Sequence, residues 1–175
     1  MNNTVNITIP RSDVFGRVRT EASYMGSKII ESGLPADADT SQPTPYDRVS
    51  IAEADYVLVG KLMEDSFNTL TDAVEDYIDS ECVRCSKDPF HFRICLDMPS
   101  NFDSGKSDRL KAVMTDFLVS DTLYKWYDYT DKDSVKGKIA EAEEKIAEVQ
   151  NILCSRKRPM RRRCSYGEFE EVTLE

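Results

Sequence analysis

The residues best suited to chemistry are three cysteines grouped with the only histidine of the chain. Cys82, Cys85, His91 and Cys95 follow one another within fourteen residues and are all ligand types found in zinc sites. Their spacing misses that of a zinc knuckle by one position, because His91 precedes Cys95 by three residues instead of four. The glycines that allow such a loop to fold tightly are also missing. We therefore expect no bound metal, although a small zinc module remains the alternative that these residues allow.

A second motif, Gly105-Lys106-Ser107, lies between a predicted strand and a predicted helix, where a phosphate-binding P-loop would place these residues. The first glycine of that motif would fall on Ser100, however, and no parallel sheet is predicted. We interpret the segment as a loop that ends in a serine N-cap. No cofactor is therefore expected.

Catalytic residues are not indicated anywhere in the chain. General acid-base chemistry most often uses histidine, and His91 is the only one. The motifs HExxH, GxSxG and GxGxxG do not occur, and the many carboxylates lie on amphipathic stretches that a solvated helix face explains. We predict that the protein is not an enzyme.

The most unusual feature is a basic segment near the end of the chain, which we call the basic arm (residues 155–164). It contains six positive charges and no acid: Arg156, Lys157, Arg158, Arg161, Arg162 and Arg163. Because the whole chain carries −9, these six charges leave −15 on the remainder. Pro159 interrupts any continuing helix, so the arm should be extended. Its charge suits either DNA or an acidic surface on a neighbouring copy.

Composition is that of a soluble globular protein, with 40% hydrophobic and 31% charged residues. The odd number of cysteines, five, favours reduced thiols over a disulfide framework. No run reaches the roughly 20 apolar residues of a membrane helix, and the N-terminus lacks the features of a secretory signal. We expect a cytosolic protein that does not enter the membrane.

Hydrophobic periodicity predicts four helices and two strands. Val5, Ile7 and Ile9 alternate as in a strand that Pro10 ends, and a second strand is expected near 90–97. Helices are expected near 12–32, from a capping box at Ser50 and Glu53 to about residue 80, from 107 through the aromatic stretch at 124–127, and from about 133 to 153.

These elements predict a mainly α, bundle-like fold with a small antiparallel β element. The domain should comprise residues 1–154, followed by the extended arm and tail at 155–175. The last two helices should form an antiparallel hairpin, because the apolar residues of the final helix follow an unbroken four-three spacing.

The order of these parts resembles that of small proteins in the tail and neck modules of Bacteroides-type phages, which are similar to the helical head-tail connector proteins of tailed bacteriophages. The features that carry the resemblance are a helix ending in Leu123-Tyr124-Lys125-Trp126-Tyr127 and a final helix closing on Arg156-Lys157-Arg158-Pro159. The resemblance covers about the last two thirds of the chain. It assigns no role to the cysteine cluster.

The resemblance implies a virion subunit, assembled in the bacterial cytoplasm as a homo-oligomeric ring of about a dozen copies between portal and tail. It implies portal or tail proteins as partners and no catalysis. Tyr124, Trp126 and Tyr127 become candidates for subunit contacts, and the basic arm would meet protein or DNA. The alternative from the charge pattern alone is a nucleic-acid-binding regulatory or architectural protein that uses the arm.

Overall fold

The computed structural model describes residues 3–31, 49–78 and 88–157. Within these ranges the chain forms two strands and four α-helices, which confirms the predicted mainly α fold with a small antiparallel sheet. In chain order they are β1 (Asn3–Pro10), α1 (Arg11–Glu31), α2 (Tyr56–Ala73), β2 (His91–Met98), α3 (Ser107–Thr130) and α4 (Lys132–Leu153).

The two strands pair antiparallel over their full length, from Asn3 opposite Met98 to Pro10 opposite His91. Alternation gives the sheet one buried face and one solvent face, as the sequence predicts. Ile7 and Ile9 are buried, whereas Thr8 between them is exposed. One more hydrogen bond, from Arg11 N to Phe90 O at 2.9 Å, extends the ladder beyond the last strand pair.

Helix α2 differs from its prediction at both ends. The chain is extended at Ala52 and forms a single 3-10 turn, Glu53–Asp55, before α2 begins. The Asp55 carboxylate accepts a hydrogen bond from Ala52 N at 3.0 Å, so a side-chain cap lies two residues after the predicted Ser50 box. At the other end, Ile78 pairs with Leu96 of β2. This long-range bridge needs extended backbone, which ends the helix before the predicted residue 80.

Helix α3 lies at the centre of the fold. It forms a hairpin with α4 through the single extended residue Asp131, and it also packs against α1, α2 and β1. Because neighbours surround it, α3 buries residues on more than one face. Its buried residues are Leu110, Val113, Met114, Phe117, Leu118, Val119, Ser120, Asp121, Thr122, Leu123, Trp126 and Tyr127.

Truncation of α3 should therefore cost far more stability than an equal truncation on the surface. We expect Leu118→Ala, at a fully buried side chain, to lower the free energy of unfolding by about 2–5 kcal/mol through lost burial and a cavity. Leu58→Ala on α2 is the matched control, since Leu58 is 39% exposed. Its cost should be within about 1 kcal/mol. Urea unfolding followed by circular dichroism measures both, and equal losses would contradict the central position of α3.

Candidate functional site

The root of the basic arm is attached to the body by the chain's own hydrogen bonds. After α4 ends at Leu153, the Arg156 guanidinium donates through Nη1 to Leu153 O at 2.8 Å and to Ser155 O at 3.1 Å. A cation at this position also interacts favourably with the negative end of the helix dipole. Lys157 N then donates to Asn101 O at 2.8 Å. The first residues of the arm are thereby fixed relative to α4.

The loop that receives the arm is itself anchored in the core. Phe102 pairs with Arg156 in an isolated antiparallel bridge, and its side chain is fully buried. Phe102 N donates to Pro99 O at 2.8 Å, which closes a tight turn. The arm therefore leaves the body from a backbone position that a buried aromatic side chain holds in place.

Only part of the predicted arm lies within the described residues. Arg156 and Lys157 are exposed and stand at the root. Arg158, Arg161, Arg162 and Arg163 lie outside the described residues. Their contact with protein or DNA stays a prediction.

A shallow groove of about 450 Å³ lies between the start of α3 and the end of α4, at the same end of the molecule as the arm root. It carries both signs of charge, because Arg109 Nη2 lies 2.8 Å from Glu148 Oε1. The hydrogen bond from Arg109 lowers the pKa of Glu148. The groove is lined by Lys106, Arg109, Glu144, Ala147, Glu148, Asn151 and Ile152.

The Gly105-Lys106-Ser107 motif forms one border of this groove and is built as a helix start. Ser104–Lys106 is a single 3-10 turn, and α3 begins at Ser107. The Asp103 carboxylate accepts a hydrogen bond from Gly105 N at 3.3 Å. A carboxylate of the chain therefore already accepts the hydrogen bond of an amide that a P-loop would offer to phosphate.

The cysteine and histidine cluster does not form a zinc site within the described residues. His91 and Cys95 lie on one face of β2, but they are four residue steps apart along the strand, about 13 Å, which is too far for one tetrahedral ion. His91 Nδ1 instead lies 3.3 Å from Asp88 Oδ2. Cys95 is disulfide-bonded, which corrects the expectation of reduced thiols at this position. Cys82 and Cys85 lie outside the described residues, and elsewhere in the described chain no group of three or more candidate ligands could hold a metal.

Asp88 organises the turn that precedes β2. It accepts a hydrogen bond from Phe90 N at 2.9 Å and pairs with Arg93 Nη2 at 2.8 Å. The Phe90 hydrogen bond, assisted by His91 and Arg93, lowers the pKa of Asp88. His91, the first residue of β2, thus contributes to the polar contacts of this turn.

The three aromatic contact candidates at the end of α3 divide into two groups. Tyr124 is half-buried, whereas Trp126 and Tyr127 belong to the core of the chain. Trp126 Nε1 donates to Val49 O at 2.8 Å. The burial of Trp126 and Tyr127 corrects their assignment as surface contacts, because the same apolar bulk serves a core or an interface. Tyr124 stays a candidate.

Two polar clusters were not predicted from the sequence. In one, Lys138 of α4 bridges Glu21 of α1 at 2.9 Å and Glu141 at 2.8 Å. Burial opposes the charge of Glu141, but the Lys138 hydrogen bond and charge prevail and lower its pKa. The i,i+3 spacing of Lys138 and Glu141 could have indicated a pair, yet nothing local reveals Glu21.

The second polar cluster lies between α2 and α3. Ser66 Oγ donates to Leu62 O at 2.9 Å and also lies 3.3 Å from both Thr122 Oγ1 and Lys125 Nζ. Lys125 pairs with Asp121 at 2.7 Å. A serine beside a lysine can form a nucleophilic dyad, but the Ser66 side chain is fully buried. Its hydroxyl therefore joins two helices and meets no solvent.

Comparison with known proteins found no matching family model, no matching curated protein and no matching solved structure. Among the helices of the described residues, none combines the length and apolar character needed to cross a bilayer.

The buried Tyr127 hydroxyl gives a pH-dependent prediction. It makes no hydrogen bond within the described part of the chain, and burial, assisted by the charges of Glu21, Asp131 and Glu141, raises its pKa well above the usual value. The folded pKa exceeds the unfolded one, so this stabilisation is complete below about pH 10 and is lost as the pH rises above it. The Tyr127→Phe variant should lack that part of the alkaline loss.

Urea unfolding at about pH 8 and about pH 11 measures this difference, which is up to about 1.4 kcal/mol for each pH unit above 10. At the lower pH, Tyr127→Phe should be at least as stable as the wild type, because it removes an unpaired hydroxyl. Tyr129→Phe is the control, since Tyr129 is 69% exposed. A wild-type alkaline slope in the Tyr127→Phe variant would contradict the assignment.

Proposed function

We propose that the protein is a structural subunit of a phage virion, of the head-tail connector, neck or tail-completion type, which forms a homo-oligomeric ring and binds portal or tail proteins. The observation that carries the proposal is the anchored root of the basic arm. A merely solvated tail needs no fixed origin, whereas an arm that reaches a neighbour loses less entropy on binding when its root is already ordered. The chain would act through contacts and not through catalysis.

Charge provides a complementary surface for the arm on another copy. The outer side of α2 carries Asp65 and Asp72, two helical turns apart, and Glu75 and Asp76 follow in the next turn; all four are exposed. When the arm of one copy binds the acidic side of α2 on the next copy, the contact joins two different surfaces of the protein. Such a head-to-tail contact forms a ring when its rotation closes. The expected attraction decreases as salt increases.

The nucleic-acid alternative has one supporting observation. Lys106 and Arg109 stand at the end of the molecule from which the arm leaves, next to the loop that holds Lys157. They would extend a basic surface along DNA. Glu144 and Glu148 line the same groove, and the rest of the chain is strongly acidic, so an acidic protein surface is the better match for the arm.

Replacing the three distal arginines of the arm with neutral residues should distinguish the proposed subunit role from nucleic-acid binding. We expect the triple variant Arg161→Gln, Arg162→Gln, Arg163→Gln to weaken self-association and binding to a Bacteroides-type phage portal protein by about ten- to a hundredfold, at roughly 0.5–1 kcal/mol for each ion pair. The charge-matched control changes Lys111, Lys132 and Lys136 to Gln; these exposed lysines belong to α3 and α4 and not to the arm. Sedimentation velocity, alone and with portal protein, measures the effect.

A wild-type chain that stays monomeric at high concentration and binds no portal or tail protein would contradict the proposed function. The same variants can be titrated with duplex DNA over a range of salt. If DNA binding is strong and the triple variant reduces its salt slope by about 3, the nucleic-acid alternative is supported instead.

A further inference from the structure

The outer edge of β1 has backbone groups that pair with no other strand of the described chain, and their positions follow from the ladder. The hydrogen bond from Arg11 N to Phe90 O marks that pair as hydrogen-bonded, and such pairs alternate along an antiparallel ladder. Val5, Ile7 and Ile9 therefore direct their N–H and C=O groups toward β2. Thr4, Asn6 and Thr8 direct theirs away from it.

Among the described residues the sheet contains only β1 and β2, and the two edges differ. The outer edge of β2 is met by Ile78, which bridges to Leu96. The edge of β1 has no such bridge from the described chain. The side chains of Thr4, Asn6 and Thr8 are exposed on the solvent face beside it.

This edge also lacks the features with which proteins usually prevent strand addition. Edge strands are commonly protected by charged side chains, bulges or prolines. The sequence of β1, NTVNITIP, contains no charge, and its proline is the last residue. Two molecules of net charge −9 can thus approach along β1 without a like charge on either strand.

We propose that β1 is a self-association surface, where β1 of a second copy adds antiparallel about a two-fold axis at Asn6. Thr4 then faces Thr8 of the other copy, and Asn6 faces Asn6. In all three facing pairs both residues direct their backbone groups outward, so each pair exchanges about two hydrogen bonds. The product is a continuous four-stranded sheet.

Side chains select this register as well. It places half-buried Val5 opposite Ile7 of the second copy on the apolar face, and keeps threonine and asparagine on the solvent face. A shift of one residue would place outward-directed backbone groups of one strand opposite inward-directed groups of the other. It would also place the apolar face of one strand beside the solvent face of the other. A shift of two residues toward the strand end would bring in Pro10, which has no N–H to donate.

The length of the strand sets the expected affinity. Eight residues span about 26 Å, so strand pairing alone buries an area near or below the lower limit of specific interfaces, which is about 1,200 Å². We therefore expect a weak dimer, with a Kd of roughly tens to hundreds of micromolar. This two-fold contact closes at two copies and goes beyond the head-to-tail ring contacts of the proposed function.

Amide hydrogen exchange on the full chain, followed by NMR, tests the proposal residue by residue. At about 10 µM, Thr4, Asn6 and Thr8 should exchange freely, while Val5, Ile7 and Ile9 are protected. At about 1 mM, for a Kd in this range, the three outward amides should slow by about two- to tenfold. Outward amides that stay unprotected at the higher concentration, or that are already protected at the lower one, would overturn it.

Two variants identify the edge. Asn6→Lys places like charges opposite each other on the two-fold axis and should abolish the concentration dependence. Asn68→Lys, at an exposed residue of α2, makes the same charge change and should preserve it. Thr8→Pro removes one outward N–H without a lysine and should weaken the dimer as well. Unchanged thermal midpoints verify folding, and a dimer that persists in folded Asn6→Lys protein refutes the assigned surface.

Loss of the dimer and failure of the proposed function are distinguishable. The Asn6→Lys variant retains the basic arm, so its binding to portal protein should equal that of the wild type. Portal binding without strand pairing would overturn the inference alone. Strand pairing without portal binding would overturn the proposed function alone.

Discussion

The enclosure of α3 is the constraint on which the rest of the structure depends. A helix surrounded by α1, α2, α4 and β1 must bury apolar residues on several faces, and its polar residues need partners inside the protein. Thr122 donates a hydrogen bond to Ser66 of α2, and Asp121 pairs with Lys125 of the same helix. The contacts of Thr122 and Lys125 with Ser66 attach α2 to the central helix with a direction that apolar packing alone would not specify.

The surfaces proposed for association are held by this enclosed core. The loop before α3 carries Phe102 into the interior and offers Asn101 O to Lys157, so the arm begins at a defined position. On the sheet, Ile7 and Ile9 fix the inward face of β1, and this leaves the backbone of its alternate residues directed outward. Core packing thus determines which groups a neighbouring molecule meets.

Much of this architecture was predictable from the sequence, since period-two and period-3.6 patterns report which side of an element is buried. Helix α1 and both strands agree with their predictions to within one or two residues. The end of α2 was not predictable, because it depends on the pairing of Ile78 with Leu96. Trp126 and Tyr127 show a related limit, since an aromatic residue at a helix end suits a core as well as an interface.

Contacts between residues distant in sequence explain the remaining differences. Glu21 and Lys138 are far apart in the chain, and only the packing of α1 beside α4 brings their charges together. The arm root likewise depends on a loop more than fifty residues earlier in the chain, at Asn101. The basic composition of the arm could be predicted from the sequence, whereas its point of attachment could be identified only from the folded structure.

Native-state hydrogen exchange in low denaturant tests most directly whether one rigid body holds the arm. The amides of α3 around Leu118 should exchange only through global unfolding, and the Lys157 amide should be protected by its hydrogen bond to Asn101 O. If α3 exchanged through local opening well below the global free energy, or if Lys157 exchanged as in a free peptide, the account of a central helix and a fixed arm would be contradicted.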